Sequence, residues 1–197
     1  MLNPDDLKRR LCCAIENARQ ASSDFDLNPD LELPDRPVLK QAAVLVAITE
    51  DANLILTKRS NMLKHHPGQI AFPGGRQDDT DRDFAHTALR EAEEEIGLNP
   101  DNVTVVGTLP CHETVTNYLI TPIVGIVPSN LSFRPEVGEV SEVFTVPLAH
   151  VTDVANFAIE GRRWHGTRRH YYTVPHGPYY IWGATARILR GLAEQWH

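Results

Sequence analysis

The chain is poor in cysteine, with Cys12, Cys13 and Cys111 as its three cysteines among 197 residues. Two of them are adjacent and their number is odd, so they cannot form a paired disulfide framework, which is typical of a reducing compartment. The sequence also lacks an apolar run of the roughly 18 residues that a membrane-spanning helix needs. Its first twenty residues lack the apolar centre of a signal peptide. These absences predict a cytoplasmic protein without a membrane partner.

Positive charge is also scarce in this sequence. Nineteen lysines and arginines stand against 26 aspartates and glutamates, which gives a formal net charge of −7. A protein with a net negative charge lacks the bulk electrostatic attraction that holds nucleic acid. It can still contain a local basic pocket. We therefore expect no nucleic-acid partner, and a phosphate-bearing substrate would need a metal ion or a few well-placed cations.

The hydrophobic content of 42% is enough for a substantial core, and the chain has neither internal repeats nor low-complexity segments. Helical periodicity over residues 5–20 predicts a helix, and a connector rich in proline and aspartate follows it. We therefore expect an N-terminal helix and connecting arm over residues 1–37. Within residues 38–197, apolar runs at 41–49 and 52–60 predict a hairpin. Further runs predict strands at 103–110, 118–128 and 141–148, a helix that ends at Ile96 before Gly97, a second hairpin at 162–174 and a closing helix at 182–195. Because strands and helices do not alternate regularly, we expect one α+β or layered α/β domain.

The segment "ALREAEEEIGL", residues 88–98, carries four glutamates within five positions. Like charges three or four residues apart destabilise a helix by roughly 0.2–0.5 kcal/mol per pair, so a bound cation is an attractive explanation. On a helix Glu91, Glu94 and Glu95 share one face, while Glu93 points elsewhere. A hard divalent cation such as Mg²⁺ prefers such oxygen ligands. The alternative is an ordinary solvated charged face.

Residues 75–98 resemble the Nudix box, G-x5-E-x7-R-E-U-x-E-E-x-G-U, in which U is apolar. The second half of the box matches in register at Arg90, Glu91, Ala92, Glu94, Glu95, Gly97 and Leu98. The first half departs from the pattern, because Asp81 stands where a glutamate is expected and eight residues, not seven, separate it from Arg90. The loop before the helix is thus one residue longer, which leaves the role of Asp81 open.

This resemblance implies a Nudix-type α/β/α sandwich with a mixed central sheet over residues 38–197. It also implies hydrolysis of a nucleoside diphosphate linked to another moiety, by attack of water on phosphorus with Mg²⁺ or Mn²⁺ as cofactor. The implied metal ligands are the carboxylates of Glu91, Glu94 and Glu95 and the carbonyl of Gly75. Arg90 would orient a glutamate through an ion pair. The general base stays open between Glu91 and a later carboxylate, for which Glu139 is the candidate.

Residues 55–75 resemble the signature of the coenzyme A pyrophosphatase branch, L-L-T-x-R-[SA]-x3-R-x3-G-x3-F-P-G-G. The positions that match are Leu56, Thr57, Arg59, Ser60, Gly68, Phe72, Pro73, Gly74 and Gly75. Ile55 replaces the first leucine, and Lys64 replaces the second arginine, which keeps the charge but loses bidentate geometry. The resemblance implies cleavage of coenzyme A, or of its oxidised or acyl derivatives, to 4′-phosphopantetheine and 3′,5′-ADP. The implied substrate-binding residues are Arg59, Ser60, Lys64, Gly68, Phe72 and Gly74.

The same segment holds a local cationic cluster of Lys58, Arg59, Lys64, His65 and His66. We expect this cluster to face the 3′-phosphate that distinguishes coenzyme A from ADP-ribose, unless it is a solvated strand end and loop. Two other functions stay open: a Nudix enzyme for ADP-ribose, NADH or a nucleoside triphosphate, and a catalytically silent Nudix-like binding module. The oligomeric state is also open, because the N-terminal helix could pack on a partner in a homodimer or on its own domain.

Overall fold

The computed structural model describes residues 3–29, 38–63, 66–164 and 167–197. Its helices are α1 (Pro4–Asn17), α2 (Phe84–Ile96), α3 (Leu148–Val151) and α4 (Gly183–Ala193). Its strands are β1 (Ser22–Ser23), β2 (Lys40–Thr49), β3 (Asn53–Arg59), β4 (Ile70–Ala71), β5 (Gly74–Arg76), β6 (Thr104–Thr108), β7 (His112–Glu113), β8 (Tyr118–Val127), β9 (Val140–Pro147), β10 (Ala158–Trp164) and β11 (Thr167–Thr173). Residues 30–37 of the predicted arm lie outside the described residues, as do Lys64 and His65.

Strand β2 is the centre of a mixed sheet. On one side it runs parallel to β8 in unbroken register from the pair Lys40–Tyr118 to the pair Thr49–Val127. On its other side it pairs antiparallel with β5 and, near the turn, with β3, which in turn pairs antiparallel with β4 and β9. Strands β6 and β7 pair antiparallel with β8, and β1 adds parallel to β7. The β2–β3 hairpin predicted from the sequence is confirmed.

The side chains of β2 alternate between two apolar layers, as the period of a strand requires. Ala43, Leu45 and Ala47 are fully buried in the cluster that includes the inner face of α2. Val46 and Ile48 are fully buried in the opposite cluster, which includes the inner faces of α1 and α4. Helices therefore cover both faces of one mixed sheet, and the expected α/β/α sandwich is confirmed.

Helix α1 begins with Asn3, whose side chain accepts a hydrogen bond from the backbone of Asp6 at 2.8 Å. Leu7, Leu11 and Ala14 are fully buried in the core of the sandwich, so this helix packs on its own domain. It ends before Ala18, which is extended, and thus sooner than the periodicity predicts. The chain has to leave the helix there because β1 follows within a few residues and pairs with β7.

A fully buried histidine joins the segment after α1 to the edge of the sheet. His112 Nδ1 lies 2.9 Å from Ser22 Oγ, and its Nε2 lies 3.1 Å from Asp24 Oδ1. The second oxygen of Asp24 accepts the backbone N–H of Val115 at 3.0 Å. These bonds satisfy polar groups that burial would otherwise leave without partners.

The later predicted elements are also present. The hairpin expected at residues 162–174 forms as β10 and β11, which pair antiparallel from Ala158–Thr173 onward. Helix α2 is capped by Asp83, whose carboxylate accepts the N–H of His86 at 2.7 Å, and it ends at Gly97 with φ +68°. No helix of the described residues is long and apolar enough to cross a membrane.

Candidate active site

Helix α2 lies on the sheet with Ala88, Ala92 and Ile96 fully buried. Its acidic side chains are exposed to different degrees. Glu95 is only 4% exposed, whereas the side chain of Glu94 is 60% exposed. The three carboxylates that share a helix face therefore experience different environments, from the protein interior to solvent.

Glu95 is a buried carboxylate beside the short strand β5. The backbone N–H of Gly74 donates to Glu95 Oε2 at 3.1 Å. Burial raises the pKa of Glu95 to about 7, against the opposing effects of the Gly74 hydrogen bond and the positive charge of Arg59. The negative charges of Glu91 and Glu139 raise it further. The charges of both Arg59 and Glu139 thus act on Glu95.

Strand β5 lies so close to its neighbours that both Gly74 and Gly75 have to be glycine. A Cβ on Gly75 would lie 2.4 Å from Glu91 Oε2, and a Cβ on Gly74 would lie 2.4 Å from the carbonyl oxygen of Ala43. Gly74 also has φ +151°, which side-chain-bearing residues rarely adopt. Glycine at both positions lets the strand carry the Gly74 N–H to Glu95 and lie against Glu91.

Glu91 is half-buried between Gly75 and Arg90. Its pKa is raised, first by burial and then by the charges of Glu94 and Glu139, while Arg90 opposes the increase. Arg90 Nη1 donates to Glu91 Oε1 and to Glu94 Oε2, each at 3.0 Å. The ion pair that the resemblance implies for Arg90 is present with both glutamates.

Asp81, whose role the sequence left open, binds the other edge of the Arg90 guanidinium. Arg90 Nε and Nη2 donate to the two oxygens of Asp81, each at 3.0 Å. The Asp81 carboxylate is fully buried and also accepts the hydroxyl of Thr87 at 3.0 Å. The hydrogen bonds from Arg90 hold the pKa of Asp81 well below its usual range. Despite its extra residue, the loop delivers a carboxylate to the arginine of the box.

The carboxylates implied as metal ligands do not form a closed site in this structure. Within the described ranges, no three His, Cys, Asp or Glu side chains converge as a ready-made metal site. One nitrogen of Arg90 instead binds both Glu91 and Glu94. The chemistry of the donors nevertheless suits Mg²⁺ or Mn²⁺, since Glu91 and Glu95 offer hard oxygen ligands. Burial raises the pKa of both carboxyls, and neighbouring glutamates raise it further. By this donor chemistry the residues fit a divalent cation, for which Glu91 and Glu94 would exchange their hydrogen bonds with Arg90.

Glu139 lies on the loop before β9 and is exposed. Its backbone carbonyl accepts the N–H of Ser60 at 2.8 Å, and its own N–H donates to Glu136 at 2.9 Å. These bonds tie the loop to the end of β3, and the carboxylate acts on the pKa values of both Glu91 and Glu95. The position is compatible with the predicted role as general base.

The other signature residues differ in what they contact. Ser60 and Phe72 are both 4% exposed, and Phe72 belongs to the apolar core. Gly68 has φ +70° and donates its N–H to the carbonyl of Arg59 at 3.1 Å. These three residues shape the loop around Arg59. Lys64 lies outside the described residues, so its predicted contact with substrate stays a prediction.

The cationic cluster expected from the sequence is divided by the structure. The charge of Arg59 acts on Glu95, whereas Lys58 lines a different pocket together with His66. Successive strand residues point to opposite faces, and an irregularity in the β3–β9 pairing falls between these two residues. Sequence reasoning also missed the aromatic wall of that pocket, for which the run "YYIW" at residues 179–182 was the available signal.

A family model described as "NUDIX domain" matches residues 39–165. The chain is 43% identical over 158 residues to "Uncharacterized Nudix hydrolase NudL" of Escherichia coli (strain SMS-3-5 / SECEC), covering 79% of this chain and 82% of that protein. It is 42% identical over 174 residues to the protein of the same name from Klebsiella pneumoniae (strain 342), covering 82% of this chain and 86% of that protein. Among solved structures, it is similar to the MutT protein from Methanosarcina mazei Go1, with 20% identity, a TM-score of 0.47 and coverage of 60% of this chain and 83% of that one.

The first prediction concerns the pair of Arg90 and Asp81. We expect Asp81→Asn, which keeps the shape but loses the negative charge, to lower the free energy of unfolding by about 2–4 kcal/mol. Urea denaturation at pH 7 measures this change. Asp79→Asn is the matched control, because Asp79 is exposed and makes no side-chain hydrogen bond or ion pair within the described residues. Equal stability of the two variants would contradict the assignment.

The second prediction follows from the buried carboxylate of Glu95. Its pKa is about 7 in the folded protein against an ordinary value of 4.5, so the folded state holds a proton that the unfolded state has released. In metal-free buffer the stability of the wild type should therefore fall as the pH rises from 4.5 to about 7. The contribution of Glu95 to this fall is on the order of 3 kcal/mol.

Glu95→Gln removes the titrating group, so its stability should decline less over the same pH range. Urea unfolding in EDTA at several pH values between 4.5 and 7.5 measures the difference between the two proteins. Titrating groups that do not interact with Glu95 contribute equally to both proteins, so the difference reports Glu95 together with its coupled neighbours Glu91 and Glu139. Superimposable pH profiles would show that Glu95 titrates normally.

Proposed function

The chain belongs to the Nudix hydrolase family, and on this premise we propose that it is a divalent-metal-dependent pyrophosphohydrolase that cleaves coenzyme A to 4′-phosphopantetheine and 3′,5′-ADP. Oxidised and acyl forms of coenzyme A are included in the proposed substrate class. The family acts on pyrophosphate bonds, so the specific step in this proposal is the choice of coenzyme A. We also propose a cytoplasmic location, as the cysteine content predicts.

One observation carries the proposal: the segment that resembles the coenzyme A signature adjoins the carboxylate helix. The Gly74 N–H binds Glu95, and Gly75 lies against Glu91. Arg59 adds a positive charge that lowers the pKa of Glu95. A segment that would select the substrate and a helix that would hold metal therefore belong to one site, as a metal-assisted pyrophosphate hydrolase needs.

The proposed roles follow from these surroundings. Glu91, Glu94 and Glu95 would hold one or more Mg²⁺ or Mn²⁺ ions, with the Gly75 carbonyl as a further ligand. When bound, such ions shield phosphate oxygens, lower the pKa of attacking water and stabilise the leaving oxygen. Arg90, itself fixed by Asp81, orients Glu91 and Glu94. Glu139, the exposed carboxylate beside the group, is the proposed acceptor of the proton from water, with Glu91 as the alternative.

The test is a substrate panel. The purified protein is incubated with Mg²⁺ or Mn²⁺ and with coenzyme A, its oxidised and acetyl forms, ADP-ribose, NADH or a nucleoside triphosphate, and products are resolved by chromatography. We expect the highest kcat/KM for a form of coenzyme A, with 3′,5′-ADP among the products. A clear preference for ADP-ribose, NADH or a nucleoside triphosphate would replace the proposed substrate. Absence of hydrolysis throughout would favour a silent binding module.

The third prediction concerns the metal carboxylates. Glu94→Gln and Glu95→Gln each remove one charged oxygen ligand with little change of shape, so we expect turnover to fall on the order of a hundredfold at saturating metal. Glu93→Gln is the matched control on the same helix, because Glu93 is exposed and makes no side-chain hydrogen bond or ion pair within the described residues. Near wild-type turnover in both test variants would refute their role as ligands.

The fourth prediction concerns Arg59. Because its charge acts on Glu95, we expect Arg59 to contact the pyrophosphate that all candidate substrates share. Arg59→Ala should lower kcat/KM for coenzyme A and for 3′-dephospho-coenzyme A by similar factors, roughly tenfold each. Arg10 is an exposed arginine on α1, and Arg10→Ala is the control. A loss confined to coenzyme A would instead assign Arg59 to the 3′-phosphate, as the sequence first suggested.

A further inference from the structure

A pocket of about 300 Å³ lies between the end of β3, the loop at residues 66–70 and the segment at residues 178–182. Its wall combines one lysine and other polar groups with three aromatic rings. The residues that give it this character are Lys58, His66, Gln69, Tyr179, Tyr180 and Trp182. The volume is at the lower end of the range for small-molecule sites and is large enough for a planar heterocycle with a sugar attached.

The aromatic wall is held in place by other residues. Tyr179 stacks on Phe144 with ring centroids 3.5 Å apart and an interplanar angle of 7°. Tyr180 donates its hydroxyl to Glu160 Oε2 at 2.7 Å, yet the residue is 42% exposed. The ring of Trp182 is half-buried. Rings that are fixed before binding can stack on a ligand with a small loss of conformational entropy.

Two polar side chains of the pocket have no protein partner within the part of the chain that the structure describes. Lys58 makes no side-chain hydrogen bond or ion pair there, and neither does the amide of Gln69. Glu142 lies opposite Lys58 in the sheet, but its carboxylate accepts the hydroxyl of Tyr179 at 2.5 Å. An ammonium group and an amide are therefore available to a ligand that carries an anion and a hydrogen-bonding ring edge.

The pocket is connected to the carboxylate site through one backbone pair. Arg59 donates its N–H to the carbonyl of Gln69 at 2.9 Å. The side chain of Gln69 lines the pocket, while the charge of Arg59 acts on Glu95. A residue of the pocket is thus bonded directly to the strand residue whose charge acts on the carboxylate helix.

We propose that this pocket binds the nucleotide half of the substrate, with the adenine ring against Tyr180 and Trp182 and the 3′-phosphate at Lys58. The inference rests on the proposed function. It assigns the nucleotide half because that half carries a planar base and a dianionic phosphate, which match the rings and the lysine. The pantetheine half is uncharged beyond the shared pyrophosphate and has no ring, so it would use neither feature.

The experiment measures binding to the metal-free protein by calorimetry in EDTA, which separates recognition from hydrolysis. The ligands are adenosine 3′,5′-bisphosphate, adenosine 5′-monophosphate and 4′-phosphopantetheine. We expect the wild type to bind the bisphosphate at least tenfold more tightly than the monophosphate, as one charge-assisted phosphate contact implies. The phosphopantetheine should not compete with the bisphosphate.

Matched variants locate the site. Trp182→Leu should weaken both adenosine ligands roughly tenfold, whereas Trp182→Phe keeps a ring and should retain most of the affinity. Lys58→Met should weaken only the bisphosphate and bring it to the level of the monophosphate. Lys8 is an exposed lysine on α1, and the control variant Lys8→Met should bind both adenosine ligands as the wild type does. Thermal unfolding of each variant verifies that the fold is intact.

The outcomes distinguish this inference from the proposed function. Unchanged bisphosphate binding in both Trp182→Leu and Lys58→Met overturns the inference, as does a wild type that hydrolyses coenzyme A without binding the bisphosphate. Binding that depends on Trp182 and Lys58 supports the pocket assignment even where coenzyme A is not hydrolysed. In that last case the substrate proposal is the one that fails.

Discussion

The site depends on the guanidinium of Arg90, where the loop, the strand and the helix meet. It binds both oxygens of Asp81 from the loop, the carbonyl of Arg76 at 3.2 Å from β5, and the carboxylates of Glu91 and Glu94 from its own helix. One cation thereby offsets part of the repulsion that the acidic sequence of α2 creates. The same contacts keep two proposed metal ligands turned towards Arg90, so metal binding would involve an exchange of partners rather than entry into a finished cage.

A backbone constraint complements this charge network. Strand β5 pairs with the first half of β2, and its glycines leave no room for a Cβ beside Ala43 or Glu91. The approach places an N–H against the buried carboxylate of Glu95, which partly compensates for its burial. The core strand, the glycine pair and the acidic helix are therefore coupled, and a displacement of β5 would alter the charge balance of the whole site.

Local patterns in the sequence predicted much of this architecture, and the limits of that prediction have physical causes. Periodicity and end signals predicted α2 up to Gly97 because the helix buries one stripe and stops at a left-handed residue. The role of Asp81 was not predictable from spacing, since a loop with an extra residue can bulge and still deliver its carboxylate to Arg90. The pocket was missed because its wall joins β3 to residues 178–182, which lie more than a hundred positions later in the chain.

The division between Lys58 and Arg59 has a consequence for substrate choice under the proposed function. Coenzyme A carries a pyrophosphate on one side of its ribose and a 3′-phosphate on another, so one cluster of cations could not contact both equally well. Neighbouring residues of a strand direct their side chains to opposite faces, and the register with β9 skips Ser141 between the partners of Lys58 and Arg59. The charge of Arg59 acts on the buried carboxylate, and Lys58 lines the aromatic pocket. Two consecutive residues can thus serve two phosphates, and a substrate without the 3′-phosphate would leave one of them without its partner.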